Sequence, residues 1–128
     1  MKNAFLSAVA LSTIVLMAGC GSTYSLGDVS NVRLASDLAV ACKTNDALAA
    51  AERAQGGGGL GAALAGLERI VILRDVGRNQ EASALLAERN KRVQASAADA
   101  AKTEADINKS VEALRDDRLK KSGKRTCS

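Results

Sequence analysis

Beyond Tyr24 the chain has no aromatic side chain, and it has no proline anywhere. Aromatic rings bring the largest apolar areas a core can use, roughly 150–250 Å² each. This chain must therefore build its interior from Leu, Ile, Val and a great deal of Ala. Strands favour β-branched and aromatic residues, whereas Ala, Leu, Glu, Arg and Lys are strong helix formers. No sustained alternation of apolar and polar residues occurs between Asn31 and Lys121. These features predict an all-α fold: a small bundle of helical hairpins. Alanine contacts let helices approach closely but bury little area each, so such a bundle is only modestly stable without a covalent staple.

Apolar spacing divides the chain into five helices. The first runs over Val32–Ala41, with Leu34, Leu38 and Ala41, or Ala35 and Cys42, on one face. Lys43-Thr44-Asn45 interrupts it. A second helix begins near Asp46, with Thr44 or Asn45 as its N-cap, and carries Ala47, Leu48, Ala51 and Ala54. The glycines Gly56–Gly59 end it, since each costs ~1 kcal/mol in a helix interior. A third helix, Leu60–Val76, carries Leu60, Leu64, Leu67, Val71 and Ile70 or Arg74 at helical spacing. After a turn at Gly77-Arg78, a fourth covers Asn79–Val93 with Ala82, Leu85, Leu86 and Val93. Leu34, Leu38, Leu67, Val71 and Leu86 are expected to share one interior. Ser96-Ala97-Ala98-Asp99 has the form of a capping box and marks a fresh start. The last helix, to about Leu119, carries the stripe Ala97, Ala100, Glu104, Ile107, Val111 and Leu114.

The N-terminus has a different character. Lys2 precedes an apolar run from Ala4 to Ala18, the pattern of a secretory signal peptide. The run is short for a membrane span, which needs about 20 apolar residues. Leu16-Met17-Ala18-Gly19-Cys20 resembles the lipobox of bacterial lipoproteins. The resemblance implies cleavage before Cys20, diacylglycerol on its sulfur and an N-acyl chain on its new amine. No other cofactor is expected. Two or three acyl chains give an anchor that does not dissociate. Gly21 follows the cysteine, where Asp would signal inner-membrane retention, so the implied location is the periplasmic face of the outer membrane. The expected organisation is a signal peptide over 1–19, a lipidated tether over 20–30, and a single helical domain over 31–128 ending in a basic tail.

Two cysteines remain in the mature chain, Cys42 and Cys127. An even pair in an oxidising compartment reads as a disulfide. A bond between them requires the last helix to fold back toward the first hairpin, in agreement with the break at Ser96. A continuous helix from Asn79 to Leu119 would be ~60 Å long and would carry Cys127 away.

Superposing Ala47 on Ala82 brings Leu38 onto Leu73, Cys42 onto Gly77 and Ala51 onto Leu86. The stretch Leu73-Arg74-Asp75-Val76-Gly77-Arg78-Asn79-Gln80-Glu81-Ala82 resembles the inter-helix turn of a tetratricopeptide repeat. Over residues 32–93 the resemblance implies two stacked helix pairs. The aromatic and proline positions of that family are missing.

Enzyme chemistry finds no foothold. The chain has no histidine, the commonest general base and metal ligand. Cys42 and Cys127 lack the spacing of a redox or zinc motif. Gly57-Gly58-Gly59-Leu60-Gly61-Ala62 fits a nucleotide-loop pattern, but no strand precedes it and its glycines read as an inter-helix loop. The segment Arg115–Ser128 holds six basic residues against two acidic. Its basic tail, Arg118, Lys120, Lys121, Lys124 and Arg125, suits lipid headgroups, lipopolysaccharide phosphates or an acidic protein face. Nucleic acid is not expected in this compartment. The leading expectation is a membrane-anchored lipoprotein that docks a protein partner of a cell-envelope assembly. The alternative is a structural lipoprotein that holds lipopolysaccharide or cell wall through its tail.

Overall fold

The computed structural model describes residues 28–128, which form five helices and no strand. They are α1 (Val29–Val40), α2 (Thr44–Gly56), α3 (Gly59–Asp75), α4 (Asn79–Arg92) and α5 (Ala97–Ser122). The leader, the lipobox, Cys20, Tyr24 and Leu26 lie outside the described residues.

Three of the four connections share one hydrogen-bonding scheme. At the end of α1, Cys42 N–H donates to Ala39 O at 3.1 Å and Lys43 N–H to Leu38 O at 2.9 Å. At the end of α3, Gly77 N–H donates to Arg74 O at 3.1 Å and Arg78 N–H to Leu73 O at 2.8 Å. The end of α4 repeats it with Gln94 and Ala95. This is the Schellman arrangement, whose middle residue must enter the left-handed region. Gly77 does so without penalty at φ 79°, whereas Cys42 at φ 60° is a residue type that seldom adopts it. The offset of 35 residues that the sequence suggests thus joins two turns of the same geometry.

In the first turn the residue that closes α1, Lys43, is also the N-cap of α2, without a side-chain cap bond. The turn leaves no room for a separate capping residue. Thr44 and Asn45, the expected caps, are instead the first residues of the helix. At the other end of α2, Gly58 takes φ 71° and ψ −174°, a region essentially restricted to glycine. The start of α1 lies three residues earlier than its spacing suggests, because Asp28 caps it by accepting Asn31 N–H at 3.1 Å.

Helix α3 is the centre of the bundle and packs against all four others. Its consecutive residues Ile70, Val71, Ile72 and Leu73 are all buried, so it is covered on every side in its second half. Around it, α1 and α2 contribute a close-packed layer of Ala35, Ala39, Ala47, Ala50 and Ala51. α4 adds Ala82 and Leu86, while α5 adds Ile107, Val111 and Leu114. Leu38 and Leu67 are half-buried against this core. Leu34, expected inside, is exposed at 43%, and Leu60, Leu64 and Val93, read as part of apolar stripes, are exposed at 48%, 39% and 55%. At these positions no neighbouring helix covers the expected apolar stripe.

α5 returns along α3 and α1. Its N-terminus carries the complete capping box: Ser96 Oγ accepts Asp99 N–H at 3.1 Å, and Asp99 Oδ2 accepts Ser96 N–H at 3.4 Å. Past Gly123 the chain reaches the α1–α2 turn, where Cys127 is disulfide-bonded to Cys42 with Cα atoms 5.4 Å apart.

Candidate docking groove and C-terminal lock

Antiparallel order gives the bundle two ends with different chemistry. The start of α1, the α2–α3 turn and the end of α4 share one end. Asp28 Cβ approaches within 3.6 Å of the space a side chain at Gly57 would fill, which places the first described residue beside that turn. The disulfide, the Gly77 turn and the C-terminus lie at the opposite end.

At the disulfide end two of the five residues of the sequence-predicted basic tail, Arg118 and Arg125, are drawn into a lock. Arg118 falls four residues after Leu114 and continues the buried stripe of α5, with only 1% of its surface exposed. Its Nη2 donates to Asp75 Oδ2 at 2.5 Å and to Ala39 O at 2.9 Å. Its Nη1 donates to Arg125 O at 2.7 Å. One guanidinium thereby ties together α5, the ends of α1 and α3, and the C-terminal segment. Arg115 Nε joins at 3.0 Å from Asp75 Oδ1. The Asp75 side chain is itself buried, and its charge is balanced by two arginines. Arg118 therefore leaves the set of residues offered to a partner; burial consumes it. Arg125 is also engaged, paired with Asp116 and with Glu112 at 2.6 Å. Lys120 pairs with Asp117 at 3.3 Å and Lys121 with Asp37 at 3.8 Å, both well exposed. Lys124 has no carboxylate partner among the described residues.

A groove of about 510 Å³ lies over α3, between the end of α2 and the second half of α4. Gly59, Ala62, Ala63, Gly66 and Ile70 follow helical spacing along its α3 side, and Leu85, Glu88, Arg89, Arg92 and Val93 do so along α4. Gln55 closes the α2 side, its Nε2 3.2 Å from where a Gly66 side chain would begin. The floor is small and apolar; the rim is rich in guanidinium. Arg69 is held at 3.0 Å by Glu52, and Arg92 at 3.1 Å by Glu88. The glycines that open α3 read in the sequence as an inter-helix loop, and the second wall, α4, is set only by the fold.

One further carboxylate stands apart. Glu68 of α3 is half-buried, takes a hydrogen bond from Ser36 of α1, and has Oε1 without a partner. Burial raises its pKa above the ordinary carboxylate range, and the Ser36 hydrogen bond offsets this only in part.

Comparison with protein-family models, with curated proteins and with solved structures finds no match to this chain.

Proposed function

We propose that the protein is a lipid-anchored, periplasm-facing lipoprotein whose helical bundle docks a protein partner of a cell-envelope assembly. The observation that carries this reading is the groove over α3. Its glycine and alanine floor allows close approach of another backbone, and its arginine rim supplies charged hydrogen-bond donors. A pocket of several hundred cubic ångströms with an apolar floor and a few polar groups is the ordinary form of a recognition site. The lipobox residues support the anchor, with Cys20 as the acylated position on the periplasmic face of the outer membrane. The resemblance to tetratricopeptide repeats, in which paired helices form partner-binding surfaces, is supported by the matching turns at Cys42 and Gly77.

The competing structural role through the basic tail is less well supported, because Arg118 and Arg125 are engaged within the bundle. A photo-crosslinking residue at Ala63, on the groove, tested beside one at Lys124, separates the two. A single stoichiometric protein captured from membranes at Ala63 is the expected result. Recovery of glycan or lipid alone, or capture only at Lys124, overturns the docking reading.

A further inference from the structure

Large apolar side chains left exposed on the bundle are not evenly distributed. Leu60 and Leu64 stand on the first turns of α3, and Val93 just beyond α4. All three are at the end where Asp28 enters the fold, as is Val29 at the start of α1, while the exposed Leu34 stands midway along α1. Leu119, also exposed, is at the other end.

Charge follows the same polarity. Arg53 and Lys91, in the last turns of α2 and α4, are exposed and have no carboxylate within ion-pair distance among the described residues, although Arg53 is near enough to Asp28 to favour its charged form. The acids at this end are already engaged. Asp28 and Asp99 cap helices, while Glu52 and Glu88 hold Arg69 and Arg92. Exposed leucines beside unpaired cations are the composition of an interfacial surface. The apolar tips enter the acyl boundary, and long basic side chains reach the phosphates.

We propose that this end of the bundle, built around Leu60, Leu64, Val93, Arg53 and Lys91, lies directly on an anionic lipid surface. The chain that would carry the anchor emerges beside the α2–α3 turn, so the anchor and this patch meet the same membrane. A tether of the few residues between Cys20 and Asp28 spans at most about 30 Å, which keeps the patch within reach of it. The bundle then stands with its disulfide end and C-terminus pointing away from the bilayer. The inference rests on the membrane-anchored reading, and goes beyond it by assigning an orientation and a second, non-covalent contact.

The absence of tryptophan makes a clean test available. Leu60→Trp and Leu119→Trp variants, purified from membranes as the cell makes them, are reconstituted in phosphatidylglycerol-containing vesicles with brominated acyl chains. The mass of the Cys20 peptide reports on the anchor separately from the orientation. Strong bromine quenching at Leu60→Trp with none at Leu119→Trp is the expected result. Quenching at Leu60→Trp should also weaken when Arg53 and Lys91 are changed to Gln, since each basic residue near an anionic surface strengthens binding roughly fivefold. Equal quenching at both positions, or none at Leu60→Trp, overturns the proposal. Shielding of Leu60→Trp without quenching also overturns it, because protein would then cover the patch.

Discussion

Arg118 and Asp75 show how a single pair can carry more of a small fold than its neighbours do. Both are almost inaccessible to water, and Arg118 also donates to the carbonyls of Ala39 and Arg125. Removing one partner strands a buried charge, at a typical cost of about 3–5 kcal/mol. Asp75→Ala should therefore lower unfolding free energy by that order in urea titration. Replacing Asp75 and Arg118 together by Leu and Met should recover much of the loss, since the desolvation penalty of both ions disappears. Glu68 acts in the opposite sense. Its raised pKa means that the native state binds its proton more tightly than the unfolded chain does. Stability contributed by the protonated form is lost as pH rises through the carboxylate range, and the deficit persists at neutral pH. Glu68→Gln should raise the melting temperature at pH 7 and flatten its dependence between acid and neutral pH. Neither role is legible locally. Arg118 lies in register with Leu114, but a charge there reads as the end of an apolar stripe, and its partner Asp75 is distant in sequence.

The helices themselves are largely written in the sequence, because several boundaries are marked by a local cause, although α2 and α4 open without a side-chain cap. Glycines stop α2 and α3, and Ser96 with Asp99 starts α5 where the spacing predicts. Ser96→Ala should cost ~1 kcal/mol, as N-cap losses do, and amide exchange should quicken first in the opening turn of α5. The less legible part is which apolar stripe faces inward. An aliphatic residue at helical spacing records that a face is apolar, not that another helix covers it, and Leu34, Leu60 and Leu64 are uncovered. Leu73, completely buried, is the better probe of the core. Leu73→Ala should cost about 2–5 kcal/mol, and Leu38→Ala, at a half-buried site, clearly less. Chemical denaturation of the two variants side by side checks the assignment. The groove is not legible in the sequence: the glycines beside it read there as an inter-helix loop, whereas Gly59 and Gly61 belong to α3, and the wall supplied by α4 depends on a packing angle that periodicity does not encode.

For the molecule as a whole, the bond between Cys42 and Cys127 spans a sequence separation of 85 residues. Closing a loop of that length removes unfolded-state entropy of roughly 4–5 kcal/mol in the chain-entropy account. Reduction should lower the melting temperature by ~10 °C or more for a domain of this size. α5 should loosen first, since its first turns are exposed and Ile107, Val111 and Leu114 are its apolar hold on the core. Hydrogen exchange with and without reductant reads this directly; uniform loosening would place the weak point elsewhere. The pairing itself was legible from cysteine number and the implied compartment. The arginine lock beneath it was not, because it depends on three chain segments meeting at one guanidinium. At the other terminus, Cys20→Ser should shift the protein from the membrane to the soluble fraction, or leave an uncleaved precursor, as mass and fractionation would show.

The same bond also decides how the protein would bear a load. A pull between Asp28 and Ser128 travels along α1, crosses the two sulfurs and leaves through the last residue. α2, α3, α4 and α5 sit outside that path, on a covalent bypass. With 85 residues of separation shorted out, about 300 Å of extensible chain is withheld from the stretch. Force applied between these two residues would thus pass through a short, stiff link. Once reduced, it would pay out like a spring.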